Sequence, residues 1–233
     1  MLNGVGIMAF ESQRVGLVQA THRESHRVHR PWLYRAAFKR PLDIAAVVLT
    51  SPVVVPLILF LALVICLRDR ANPFYSQQRV GRGGRNYRMW KLRTMVPDAD
   101  ERLETYLRDN PNAAREWELT QKLRVDPRVT RMGQMLRASS LDELPQLINV
   151  FTGDMSLVGP RPMMPEQKAM YSGQGYFQLR PGITGLWQTA GRNRTSFAAR
   201  AGYDDSYESS LSFGRDFGIL LRTVSVVISR TGY

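Results

Sequence analysis

Hydrophobic and polar positions are arranged in three different ways along this chain, and each predicts a different kind of element. From Ile44 to Leu67 no residue carries a charge. The run is apolar on every face and longer than the roughly twenty residues that cross a bilayer, so it predicts membrane insertion rather than a buried core helix. Next, "PFYSQQRV" and "NYRMWKLRT" are aromatic and β-prone on either side of "GRGG", Gly81 to Gly84. That order predicts a β-hairpin with a glycine turn. A glycine-rich phosphate loop is the competing reading, but no lysine–serine pair follows. Helical patterns fill much of the remainder. Asp98 to Asp109 opens acidic and closes near Asn110-Pro111, Asn112 to Leu123 carries Trp117 as its anchor, and Val129 to Ala138 is short and basic. Near the C-terminus Phe217, Leu220, Leu221, Val224, Val227 and Ile228 follow helical spacing. An interfacial helix and a core-packing helix both fit that pattern.

The apolar run contains Pro52 and Pro56. Proline lacks an N–H and its ring crowds the preceding turn, so the pair predicts a kink at Ser51-Pro52. The Ser51 hydroxyl is placed to take a carbonyl that the proline leaves free. Both flanks are basic: Arg23, Arg27, Arg30, Arg35, Lys39 and Arg40 before the run, Arg68, Arg70, Arg79, Arg82, Arg85 and Arg88 after it. A spanning helix would put one basic flank outside, against the positive-inside bias. A helix that bends and returns to the same face keeps both inside, and the re-entrant reading is favoured. His22, His26 and His29 share a helical face but have no acidic or cysteine companion, a poor metal site. The first twenty residues have no charged start leading into an apolar stretch, so no cleavable signal is expected.

Composition narrows the class. The 233 residues, 44% hydrophobic and 9% aromatic, suit one packed domain with appendages. A net charge of +12 calls for an anionic partner: nucleic acid, anionic lipid head groups or phosphate-bearing small molecules. The single cysteine, Cys66, allows no internal disulfide and suits a reducing compartment.

Chemistry concentrates in "RASSLDELPQLINVFTGDMSLVGPRPMMPE", Arg137 to Glu166. Asp142 and Glu143 are adjacent carboxylates. Ser140-Leu141-Asp142-Glu143 fits a capping box, and carboxylates at a helix start suit its dipole. The surroundings point to catalysis as well, and a cap does not exclude it. "GPRP" fixes Arg161 between two prolines, a stiff mount for a phosphate-gripping guanidinium. "RPGITG" and "AGRN" present further arginines in glycine-containing turns. Clustered carboxylates with rigid arginines suggest a phosphate substrate and a divalent metal. The arginines are spread through loops rather than on one recognition helix, so nucleic acid is not expected as a partner.

In the order "KRPLD…SP…FYSQQRVGRGGRNYRMWKLRTM…DPRVTRMGQMLRASSLDELPQLINVFTGDMSLVGPRP…RPGITGLWQTAGRN", the chain resembles the bacterial sugar transferases. These are monotopic polyprenol-phosphate phosphoglycosyl transferases that initiate exopolysaccharide and O-antigen synthesis. The resemblance runs from about Phe38 to Tyr233 and looks like the short form, closest to the hexose-1-phosphate transferases of succinoglycan-type pathways. It implies an α+β, mostly helical fold with a re-entrant membrane helix broken at Ser51-Pro52, a small β-hairpin and interfacial amphipathic helices. The division it implies is 1–37 as a basic arm, 38–70 as the re-entrant helix and 71–233 as the catalytic domain at the cytoplasmic face of the inner membrane.

By the same resemblance Asp142 is the nucleophile and Glu143 a Mg²⁺ ligand. Lys91, Arg137 and Arg161 hold the UDP-sugar phosphates. The implied reaction moves a hexose 1-phosphate, from UDP-galactose or UDP-glucose, to undecaprenyl phosphate. UMP is released through a phosphosugar–aspartate intermediate. Anionic lipids, other polysaccharide-assembly proteins and an oligomer are compatible partners. Asn72-Pro73 and Leu211 depart from the family pattern, away from the dyad, and Asp204 and Tyr207 match its late Asp-x-x-Tyr. The competing reading is a catalytically silent membrane adaptor, which would need neither carboxylate.

Overall fold

The computed structural model describes residues 33–120, 123–190 and 197–228. The histidine trio and the arginines before Leu33 lie outside the described residues, as does Arg192 of "AGRN". A π-helical turn, Tyr34–Phe38, leads into helix α1, Lys39–Asp69. The hairpin follows as β1, Phe74–Val80, and β2, Asn86–Leu92, in antiparallel register from Phe74 opposite Leu92 to Val80 opposite Asn86. Its connection turns through Gly83 and Gly84, both at positive φ, which is why "GRGG" stands there. Three helices match the predicted ones: α2, Ala99–Asp109; α3, Pro111–Thr120; and α4, Arg131–Ala138, capped by the Thr130 hydroxyl accepting from the Gly133 N–H. Then come α5, Gln146–Thr152; β3, Ser156–Val158; α6, Gly175–Gln178; β4, Gly182–Thr184; α7, Leu186–Ala190; α8, Ala199–Ser209; and α9, Phe213–Ile228. Strands β3 and β4 pair in parallel.

Helix α1 is the one described helix long and apolar enough to cross a membrane. It is not interrupted at Ser51-Pro52: helical geometry continues through Pro52 and Pro56. The carbonyl that would have bonded to residue 52 belongs to Val48, and the Ser51 hydroxyl donates to it at 2.8 Å. One residue earlier the Thr50 hydroxyl donates to Ala46 O, also at 2.8 Å. The helix stays continuous here, with the Ser51 side-chain donor standing in for the lost backbone bond.

The two ends of α1 are held by the same body. At the start, Arg40 donates to Val150 O and Phe151 O, and Asp43 accepts from the Ser156 hydroxyl at 2.7 Å. Val47 packs there with Tyr87, Met89, Val150 and Met155. Toward the other end Ile58, Leu61, Ala62 and Ile65 pack with Leu92, Met132 and Leu136. Between these anchors Leu49 and Val53 are exposed.

One expected local structure is absent. Ser140 does not cap a helix: it sits at φ 56°, in the left-handed region, with no side-chain cap bond. A cap needs extended backbone at that residue to aim its oxygen at the third N–H. Ser140 instead reverses the chain directly after α4, and Leu141–Glu143 form a single 3₁₀ turn. Helix α5 starts only at Gln146, behind Pro145, so no helix N-terminus coincides with the dyad.

Candidate active site

The 3₁₀ turn carries the two carboxylates to the end of β2. Its flanking Leu141 and Leu144 pack against the cluster of Leu92, Met132 and Leu136, which leaves Asp142 only 7% exposed. Lys91, next to last in β2, donates to Glu143 Oε1 at 2.8 Å and lies 3.7 Å from Asp142 Oδ2. One ammonium thus serves both carboxylates. Burial pushes the Asp142 carboxyl above its ordinary range, the neighbouring Glu143 adds to that, and Lys91 and Arg137 pull against it.

Arg137 sits in the last turn of α4, its Nε donating to the Thr94 hydroxyl at 2.9 Å. Thr94 is itself buried, and its carbonyl accepts from Thr130 N at 3.1 Å. Gly133 lies against that carbonyl so closely that an added Cβ would collide with it. The stretch from Lys91 to Thr94 and helix α4 are therefore locked together, and the charges of both Lys91 and Arg137 bear on Asp142.

Two features of this arrangement had no sequence-level prediction. Asn149 on α5, 2% exposed, accepts from Trp90 N at 3.0 Å and donates to Arg88 O at 2.7 Å. It clips the edge of β2, beside Lys91, to the helix that follows the dyad. An asparagine inside the apolar "QLINVF" was the only available signal. The second is the close crossing of β3 and β4. Added Cβ atoms at Gly159, Gly182 or Gly185 would each strike backbone of the same crossing, so the glycines of "GPRP" and "RPGITG" permit contact rather than merely a turn.

That crossing presents Arg161, which does not stand with the charges acting on Asp142. Its guanidinium lies 5.8 Å from the Trp187 ring, and its charge bears on Arg79 and Arg200. Ser51 and Pro52 occupy the middle of α1, between its two anchored ends. Asp204 is buried and accepts from the Tyr171 hydroxyl at 2.8 Å, while the Tyr207 hydroxyl donates to Asp216 Oδ1 at 2.5 Å. Both therefore build the interior.

Among the described residues no group of three or more His, Cys, Asp or Glu side chains converges as a self-sufficient metal cage. The adjacent carboxylates still suit Mg²⁺, which takes hard oxygens and usually binds through one or two carboxylates plus substrate phosphates. Glu143, the more exposed of the two, has the oxygen donors for that role.

The bacterial sugar transferase family profile matches residues 34–230. The exopolysaccharide production protein ExoY of Rhizobium meliloti is 41% identical over 198 residues, 84% of this chain and 88% of that protein. The undecaprenyl-phosphate galactose phosphotransferase of Salmonella typhimurium is 40% identical over 196 residues, 83% of this chain but 41% of that relative. A Caulobacter vibrioides relative, a UDP-glucose:undecaprenyl-phosphate glucose-1-phosphate transferase, is 40% identical over 201 residues, 82% of this chain and 70% of its own length. The match takes in the apolar helix, the hairpin lysine and the buried Asp142-Glu143 turn alike, and the chain belongs to the bacterial sugar transferase family.

Proposed function

We propose that this chain transfers a hexose 1-phosphate, galactose or glucose, from a UDP-hexose to undecaprenyl phosphate, with Asp142 as nucleophile. The observation that carries the reading is the buried Asp142 carboxylate facing Lys91 and Arg137, in a chain whose relatives are named as sugar-phosphate transferases acting on that lipid. An Asp142 oxygen attacks the β-phosphorus, and the bond from that phosphorus to the bridging oxygen breaks. UMP leaves with the bridging electron pair, and the sugar phosphate stays on the aspartate. A polyprenyl phosphate oxygen then attacks the same phosphorus, the aspartyl–phosphorus bond breaks, and Asp142 is regenerated.

Lys91 favours the ionised form of the buried Asp142 carboxylate against the effect of burial, and Lys91 and Arg137 offset the charge that builds on the equatorial oxygens. Glu143 is the protein ligand for Mg²⁺, which when bound neutralises phosphate charge beside it.

The membrane reading follows from the anchoring of α1. A straight helix of 31 residues is about 46 Å long, and crossing a bilayer would set its ends on opposite faces. Here one body holds both ends, which favours a re-entrant α1 bent near Ser51-Pro52 and an active site at the cytoplasmic face of the inner membrane. Arg82, Arg85 and Lys168, which form no ion pair with a described residue, stand around a cleft of about 690 Å³ and suit anionic lipid at that face.

The test is UMP release by purified protein with Mg²⁺, undecaprenyl phosphate and a panel of UDP-sugars, with Asp142→Asn alongside. Release that requires Asp142 is expected, at least a thousandfold above the variant, and the best donor names the sugar. A folded wild type that releases no UMP from any donor leaves the membrane-adaptor reading instead.

A further inference from the structure

At the end of the hairpin away from the dyad, cations gather without a counter-charge. The cleft of about 690 Å³ is lined by Arg82 and Arg85 of the turn, by Lys168, and by Arg180 just before β4. No acidic side chain lines it, and none of the four cations forms an ion pair with a described residue. Four like charges around one concavity repel each other and concentrate anions there. The turn is shaped to admit them. At Gly84, φ 79°, the Lys168 ammonium lies 3.0 Å from where a Cβ would stand, so the glycine makes room for that amine. Lys91 at the dyad is six residue steps from Arg85, roughly 20 Å along the strand. An anion in this cleft is therefore not the one that reacts.

Position within the fold selects the anion. Arg82, Gln178 and Arg180 also line a second, smaller cavity, which reaches Arg40 and Asp43 at the start of α1. The charge-free run begins at the next residue, Ile44. Phe151, two residues before the lining Gly153, is 56% exposed, and Met170, two residues beyond Lys168, is 68% exposed. Cations at the level where an apolar helix begins, with apolar side chains exposed beside them, suit an amphiphilic anion. The same cleft touches the first anchor of α1. Gly153 ends α5, its N–H donating to Asn149 O and Val150 O. Arg40 of α1 donates to the carbonyls of Val150 and Phe151, and Arg180 Nε donates to that of Gly153 at 2.8 Å. We infer that the cleft is a specific seat for the headgroup phosphate of an anionic phospholipid, and that its occupant braces the first anchor of α1. Arg82, Arg85 and Lys168 hold the phosphate, and Arg180 links it to the α5 terminus that Arg40 grips. Such a seat rests on the membrane placement proposed above and deepens it, turning a suitable surface into one site with a stated effect.

The full chain in a neutral detergent is titrated with dioleoylphosphatidylglycerol, and separately with dioleoylphosphatidylcholine. Melting temperature and hydrogen exchange of residues 149–156 are followed. Arg85→Gln and Lys168→Gln are compared with wild type and with Arg115→Gln, an exposed cation on α3 that does not line the cleft. Arg85 and Lys168 are exposed, so their substitution leaves the fold intact. With phosphatidylglycerol alone, a saturable rise in melting temperature and at least threefold slower exchange in that segment are expected. The midpoint should rise at least fivefold in each cleft variant, on the order of one surface cation's worth, and stay within twofold in Arg115→Gln. A smaller shift in either cleft variant overturns the inference, as does an equal response to phosphatidylcholine. A rise in melting temperature without slower exchange also overturns it, because the lipid then has no hold on the α1 anchor. UMP and inorganic phosphate are titrated in parallel. The same stabilisation by either, lost in the same variants, gives the cleft to a soluble phosphate and overturns the lipid seat. The membrane reading fails separately: a wild type that stays soluble without detergent loses that reading, whereas one that needs detergent but does not respond to phosphatidylglycerol loses only this site.

Discussion

At the scale of single residues, the site turns on Lys91. Its ammonium is shared between two carboxylates of which one is buried, so removing it leaves Asp142 facing Glu143 with only Arg137 to compensate. Lys91→Gln is expected to lower kcat for UMP release at least a hundredfold, about 2.7 kcal/mol of barrier. Retention of wild-type kcat would detach Lys91 from the chemistry. Asp204 supplies a pH signature. Burial raises its carboxyl to about 6, against the pull of Arg200 and the Tyr171 hydroxyl. A carboxyl raised on folding binds its proton more tightly in the native state, so its contribution is fully present below the unfolded value near 3.8 and is lost as pH rises through about 6. The stability of wild type relative to Asp204→Asn should therefore fall between pH 4 and 7, by up to about 3 kcal/mol. Melting curves of both proteins across that range measure it, and a difference that grows with pH contradicts the assignment.

At the scale of elements, the dyad is held by what its neighbours cannot accommodate. Helix α4 meets the Thr94 carbonyl through Gly133, where no Cβ fits, and Arg137 one turn later bonds the same threonine. Gly133→Ala must push α4 away, moving Arg137 and the turn that follows it. A loss of about 2–3 kcal/mol is expected from such overpacking, together with a fall in UMP release that Gln134→Ala, on the exposed side of the same helix, does not reproduce. Denaturant melts with parallel activity assays separate the two. Asn149 performs the matching task on the other side, bonding the backbone of β2 from α5. Helix α9 shows a comparable division of labour. Ile219 and Asp216 are buried, while Phe213, Phe217, Leu221 and Val224 form an exposed apolar stripe. That pattern is the one an interfacial helix presents to a bilayer.

For the whole molecule, the consequential feature is that α1 meets one body at both ends. Asp43 and Arg40 engage the β3 and α5 region, and Ile65 is fully buried against β2 and α4. If α1 returns to its starting face, a cysteine placed within residues 1–30, in a Cys66→Ser background, is labelled by a membrane-impermeant reagent only in inverted vesicles. Labelling in intact spheroplasts means that α1 spans. Replacing Pro52 and Pro56 together by alanine restores two backbone donors and favours a straight helix. On the re-entrant reading the expected outcome is a shift of that labelling toward the outer face, with loss of activity.

Much of this protein is determined locally, and the sequence by itself determined that part. The apolar run, the hairpin with its glycine turn and the presence and order of α2, α3 and α4 follow from periodicity and turn chemistry, which depend on residues a few positions apart. The adjacency of Asp142 and Glu143 needs no folding at all. The local rules failed where a longer-range demand overrode them. Ser140 has the composition of a cap, but the chain must reverse between α4 and the dyad, and that reversal takes Ser140 into the left-handed region. The rest was decided by tertiary structure. That Lys91 meets a turn fifty-odd residues away, that Asn149 clips β2, and that Arg161 stands with Arg79 and Arg200 rather than against Asp142 are outcomes of packing. Which charges come together depends on how distant apolar faces are buried, and no spacing along the chain encodes that distance.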